Sequence, residues 1–137
     1  MDKVKYAVSV VISIAAYLFG GWDGLMTALI AAIAADYITG ITAAAVNKRL
    51  SSETGAKGIA KKVLMLLITA IAHIIDVNVI GDGDKLRTMT VLFYIANEAI
   101  SVLENAGALG VPLPGKLTAV LEQLKKENGG EDNDKDN

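Results

Sequence analysis

Apolar residues along this chain gather into four blocks separated by short polar turns. The blocks run from Val4 to Phe19, from Trp22 to about Val46, from Val63 to about Ile80, and from Leu86 to Leu103. A bilayer core takes about 20 predominantly apolar residues, with ~17–25 tolerated. The second block meets that length comfortably and the third meets it. The first is slightly short, and the fourth is long enough but polar at Asn97, Glu98 and, just past its end, Glu104. Helices of a water-soluble bundle would each keep a polar face. The second block has none: between Gly24 and Tyr37 its only charge is Asp36, and the third has none between Val63 and Ala72. Uniform apolarity at this length fits lipid rather than water. The pattern therefore predicts an all-α integral membrane bundle of three to four transmembrane helices, about 4–19, 22–46, 63–80 and 86–103, within a domain covering 1–112.

Residues 113–137 read as a short amphipathic C-terminal helix and a disordered charged tail on the cytoplasmic side. Leu117, Val120, Leu121 and Leu124 recur at helical spacing, which suits a helix lying on the membrane surface. From Glu127 onward every residue is charged, Asn or Gly, a composition that stays disordered. The first block has Lys3 and Lys5 ahead of it and small residues near its end, as a signal peptide would. Another segment of spanning length follows almost at once, so an uncleaved helix is expected.

The basic residues set the orientation. Lys48, Arg49, Lys57, Lys61 and Lys62 lie between the second and third blocks, against only Glu53. Positive loops stay in the cytoplasm. The 47–62 loop and the C-terminal tail are thus expected inside, and the Gly81-Asp82-Gly83-Asp84 turn outside. With four spans, Lys3 and Lys5 also fall inside. That agreement favours four spans over three spans with one outer segment on the surface.

Composition sharpens the picture only a little. The apolar fraction is 53%, above the ~45–50% of soluble domains, and the mean hydropathy is +0.44. There is no cysteine, so disulfides and thiolate metal sites are excluded. One histidine cannot hold zinc alone. No nucleophile and base cluster, and no cofactor fingerprint appears, so no catalytic, cofactor or metal residue is expected. Asp76-x-Asn78 before Gly81 resembles a calcium loop only faintly: Ile80 stands where an oxygen ligand belongs, and Arg87 replaces the terminal Glu. The single basic patch is explained by topology, leaving no nucleic-acid footprint.

Polar residues inside apolar blocks carry most of the functional signal. Asp23, Asp36, Asp76, Glu98 and Glu104 lie within or at the ends of the blocks, with no basic residue read among them. A charge at the bilayer centre costs ~2.5–3.5 kcal/mol on insertion scales, so such groups face other helices or water. Asp23, after Trp22, suits a helix start, whereas Asp36 suits function or an interhelical hydrogen bond. His73 and Asp76 share a helix face and read as a proton-sensitive pair or an internal hydrogen bond. In the fourth block Thr90, Tyr94, Asn97, Glu98, Ser101, Glu104 and Asn105 recur at three and four. That stripe could line a water-filled opening, lie on a surface, or form a polar seam. Gly24, Ala28, Ala32 and Gly40 fall on one four-residue ladder, interrupted by Asp36. Small residues so spaced let helices approach closely, within one chain or between chains.

Taken in order, several short motifs resemble the phage lysis and toxin-secretion holin family of Gram-positive phages and prophages. They are Trp22-Asp23-Gly24, Asp36-Tyr37-Ile38-Thr39-Gly40, Lys48 through Ser51-Ser52-Glu53, Gly55-Ala56-Lys57-Gly58, Lys61-Lys62, Ala72-His73 with Asp76, Phe93 to Glu98, Ser101, Leu103-Glu104-Asn105 and Gly110-Val111-Pro112. The likeness runs from Trp22 to about Leu124. It implies a homo-oligomer in the bacterial cytoplasmic membrane that forms timed lesions. These depolarise the cell and release endolysin, which need not touch the holin, or secrete toxin. Two other readings remain from the residues alone: a small ion channel or transporter subunit, and a non-conducting antiholin-like scaffold.

Overall fold

The computed structural model describes residues 2–81 and 83–129. Five α-helices follow one another: α1 (Asp2–Phe19), α2 (Gly24–Val46), α3 (Ser52–Ile75), α4 (Lys85–Ala108) and α5 (Gly115–Gly129). Among the described residues there is no strand. Three stretches are long and apolar enough to cross a membrane: Gly24–Val46, Ser52–Ile80 and Lys85–Ala108. The protein is thus an all-α membrane bundle. α1 is not among the three, because its 18 residues include Asp2, Lys3 and Lys5.

Local signals explain where the helices begin. Asp23 is the N-cap of α2, its side chain accepting from the Met26 N–H at 3.0 Å. Ser51 caps α3, accepting from the Thr54 N–H at 3.1 Å. That cap corrects one expectation. The region read as a loop over 47–62 is a short turn at 47–51 followed by helix, so α3 starts well before Val63. Hydropathy marks where a helix becomes apolar, whereas the cap marks where it begins. α4 likewise runs on to Ala108 rather than stopping at Leu103.

α3 ends in a turn of π-helix, Asp76–Ile80, closed by left-handed Gly81 at φ 75°. The Gly81 N–H reaches the Asp76 carbonyl at 2.8 Å. The wider turn brings the Asp76 side chain over the start of α4. Its two oxygens accept from the Leu86 N–H at 3.1 Å and the Arg87 N–H at 2.8 Å. Asp84 stands at the N-cap position without a side-chain cap bond. Asp76 supplies that function from another helix.

α4 is the central element. It packs along α2, α3 and α5, whereas α2 and α3 scarcely touch each other. Met26, Leu29 and Val91 form a small dry core, with Phe19, Leu25, Ile33, Leu66, Tyr94 and Ile95 around it. This core occupies the half of the bundle nearer Asp23. The half nearer the 47–51 turn is polar and open. The outer surface is apolar, with Ile38, Val63, Leu64, Leu67, Ile68 and Ile71 all exposed, as expected of faces that meet lipid. α5, expected as an amphipathic helix, folds back against α4 with Leu121 and Leu124 half-buried. Its helix continues through Glu127 to Gly129, and the rest of the expected disordered tail, 130–137, lies outside the described residues.

Gly20 joins α1 to the bundle where only glycine fits. Its φ is +79°, and a Cβ there would stand 2.7 Å from His73 Cε1 and 2.8 Å from Nδ1. Gly20→Ala is expected to lower stability by about 1–3 kcal/mol, through a left-handed backbone and a forced ring shift. Thermal unfolding in detergent would show this as a lower midpoint, and an unchanged midpoint would contradict the contact.

Candidate functional site

At a rise of 1.5 Å per residue, Asp36 lies about 18 Å along α2 from Gly24, and Glu98 about 20 Å along α4 from Lys85. Both carboxylates therefore reach mid-bundle at the same level. Lys62, on α3 at the border of its apolar run, meets them there. Its Nζ donates to Asp36 Oδ2 at 2.6 Å and to Glu98 Oε2 at 2.6 Å. The side chains are 15% (Lys62), 14% (Asp36) and 4% (Glu98) exposed, so water screens the pairs only partly. The second Asp36 oxygen accepts from Asn105 Nδ2 at 3.0 Å. Asn105 also donates to Thr39 Oγ1 at 3.0 Å. One cation thus serves two carboxylates on different helices, and Asn105 ties the same carboxylate to α4.

A cleft of about 410 Å³ opens beside this cluster. Its walls come from α2 (Asp36, Tyr37, Gly40, Ala44) and α3 (Gly55, Gly58, Lys61, Lys62), with Asn97, Glu98, Ser101 and Asn105 of α4 behind. Arg49, Leu50 and Ser51 lie at its turn end. At ~30 Å³ per water it has room for roughly a dozen. One half of the bundle is therefore dry and packed, and the other is a polar recess floored by charge.

A second polar cluster closes the opposite end. Arg87 is 2% exposed. Its Nη1 and Nη2 donate to Asp23 Oδ2 and Oδ1 at 2.9 and 3.1 Å, and its Nε donates to the Phe19 carbonyl at 2.6 Å. This fork joins the end of α1, the cap of α2 and the start of α4. The Arg87 hydrogen bond, helped by the Met26 N–H, holds the Asp23 carboxyl below its ordinary value of 3.8 against partial desolvation. A depressed carboxyl pKa contributes stability above the ordinary value and loses it as pH falls through the folded value. The fork is therefore intact at neutral pH and weakens only in acid below about pH 3.8.

The expected site residues separate accordingly. Asn97, Glu98, Ser101 and Asn105 of the α4 stripe line the cleft. Tyr94 instead packs beside the apolar core, and Glu104 is exposed. Asp36 sits in the charged cluster. His73 and Asp76 do not pair: Asp76 caps α4, and His73 Nδ1 is buried with no partner among the described residues. Of the small-residue ladder, Gly40 comes within 3.5 Å (from its Cβ position) of Asn105, whereas Gly24 and Ala28 are exposed. Each four-residue step turns about 40° around a 3.6-residue helix, so the ladder winds from the outer face to the α4 contact.

Two residues escaped the sequence reading, which found no basic residue among the acidic ones. Lys62 and Arg87 are those bases. By hydropathy Lys62 falls in the loop before the third block, and Arg87 stands where a calcium loop would end in Glu. The available signal was the excess of intramembrane carboxylates, which requires cations nearby.

Comparison with known proteins bears directly on this bundle. A model of the bacteriophage holin family matches residues 13–126. The chain belongs to that family. A probable holin of Bacillus phage phi105 is 37% identical over 113 residues, covering 82% of each chain. An uncharacterized 14.9 kDa protein of Clostridium perfringens is 37% identical over 128 residues, 93% of this chain and 96% of the relative. The Listeria monocytogenes protein Lmo0128 is 42% identical over 119 residues, 87% of this chain and 84% of its own. No solved structure matches the chain. As holin-family members go together with membranes, three spanning helices and an apolar exterior make this a multi-pass membrane protein.

Proposed function

We propose that the chain acts as a holin. It accumulates as a homo-oligomer in the bacterial cytoplasmic membrane and then opens it abruptly. The potential collapses, and an endolysin or a secreted toxin crosses. The observation that carries this reading is a polar recess inside a bundle with an apolar exterior, in a chain of the holin family. A channel wall needs polar groups that stay hidden from lipid until subunits separate. Asn97, Glu98, Ser101 and Asn105 are so placed.

Assembly is assigned to the exposed half of the α2 ladder. Gly24, Thr27, Ala28 and Ala31 leave a shallow surface there, against which a second helix can pack closely. The lysine-rich start of α3 and the α5 end of the chain are assigned to the cytoplasm, by the positive-inside rule. α1 is assigned as a fourth, short span. Past Lys5 its exposed residues are mostly apolar, including Val8, Val11, Ile12 and Ile14, and its two serines, Ser9 and Ser13, bond back to the Lys5 and Ser9 carbonyls within the helix. A surface-lying helix would keep a polar face. The crossing places Lys3 and Lys5 with the other cations.

The test is expression from a tight promoter, with a potential-sensitive dye and an endolysin lacking its own export signal. Sudden depolarisation after a fixed delay, with lysis only when endolysin is present, is the expected result. Gradual ion leakage without endolysin release would replace this reading with a channel, and an undisturbed membrane would replace it with an antiholin-like scaffold. Ala28→Leu is expected to delay or abolish the depolarisation while leaving the monomer folded, since Ala28 is exposed. Unchanged timing would remove the α2 ladder from the assembly surface.

A further inference from the structure

We propose that the cleft between α2 and α3 is a binding site for the phosphate group of an anionic phospholipid from the leaflet facing the 47–51 turn. Three cations lie on it, Arg49, Lys61 and Lys62, against two carboxylates, Asp36 and Glu98. Lys62 is committed to both carboxylates. Arg49 and Lys61 make no side-chain hydrogen bond or ion pair among the described residues, yet both face the cleft. The recess thus carries two positive charges uncommitted among the described residues, Arg49 at its turn end and Lys61 further along α3, one residue before Lys62.

The remaining walls fit a lipid rather than a small soluble anion. Ile41, Leu50 and Met65 line the cleft beside the charges. Glycine keeps it open on both sides: Gly40 belongs to α2, and Gly55 and Gly58 belong to α3. A Cβ at Gly58 would meet nothing within 4 Å. Because α2 and α3 scarcely touch each other, the space between them is closed only by α4 behind and the turn at one end. A phosphate held by Arg49 and Lys61 would leave its acyl chains lying against the apolar wall. Basic pockets between spanning helices recognise lipid head groups in this way. The site needs the chain only to be inserted in a bilayer, so it stands or falls separately from lysis.

The test uses the full chain in phosphatidylcholine vesicles doped with spin-labelled phosphatidylglycerol or spin-labelled phosphatidylcholine. The motionally restricted fraction reports lipid held by the protein. About a thirtyfold preference for phosphatidylglycerol is expected from two basic side chains at a membrane surface, each contributing about 1 kcal/mol. The double substitution Arg49→Ala with Lys61→Ala should abolish it. Gly58→Leu should abolish it too, by filling the cleft without changing charge and with a better helix former than glycine. Lys57→Ala, which removes an equivalent charge outside the cleft, should retain it. Equal restriction of the two lipids by the unaltered protein would overturn the proposal, as would a preference that survives both cleft variants. Millimolar glycerol phosphate should not displace the labelled lipid. Displacement would overturn the lipid assignment in favour of a soluble phosphate ester.

Discussion

Lys62→Met is expected to destabilise the bundle by about 3–5 kcal/mol, the usual cost of leaving a buried charge without its partner. Methionine preserves the length and apolar stem of the lysine, so packing changes little. What it removes is the cation between Asp36 and Glu98, each bound at 2.6 Å on a different helix. Two carboxylates then face each other across the centre of the membrane. A triple variant, Lys62→Met with Asp36→Asn and Glu98→Gln, should regain most of the loss, because neutral isosteres leave no orphaned charge. Reversible unfolding in mixed micelles would measure both. If the single variant unfolds like the unaltered protein, the cluster contributes no net stability. If the triple variant stays as weak as the single one, lost packing rather than charge is responsible.

Arg87→Met is expected to cost about 2–3 kcal/mol. The figure follows from charge-assisted hydrogen bonds, discounted because one partner is partly exposed. The Asp23 side chain is 47% exposed and can turn to water, but the Phe19 carbonyl loses its side-chain donor. The pH dependence distinguishes the fork from simple packing. Because Arg87 lowers the Asp23 pKa, the gap between the two proteins should be full at neutral pH and shrink below about pH 3.8. A gap that is constant into acid would assign the effect to the guanidinium's contact with Phe19 and its packing alone.

Hydropathy alone located all four apolar helices, because exclusion from water is averaged over many residues and tolerates local error. Asp36 and Glu98 were also legible, since a charge in an apolar run is conspicuous. Lys62 was not. It stands immediately before Val63, and a boundary drawn by hydropathy puts it outside, although Ser51 had already started the helix. Asp76 misled for a different reason. Its spacing from His73 makes a same-face pair the natural reading, but its carboxylate turns instead to the Leu86 and Arg87 N–H groups, which have no acceptor of their own at the start of α4. Helix-surface spacing puts two side chains on one face, but it does not decide against a partner on another element. The spacing of the α4 stripe predicts a single face, yet the stripe divides between cleft, core and surface. That division depends on which neighbour packs where, and no periodicity within one helix contains it.

The central position of α4 also sets an order of events during synthesis. α2 and α3 emerge after α1 and before α4, and they have little to hold each other with beyond the pairing of Lys62 with Asp36. Glu98 follows Lys62 by 36 residues. At translation rates of roughly 5–20 residues per second, the half-made hairpin waits about 2–7 seconds for its third partner. Only then do the dry core, the cap from Asp76 and the Arg87 fork form. A ribosome stalled within α4 would therefore leave two loosely paired helices in the membrane, and a chain truncated there would be a natural target for membrane proteases.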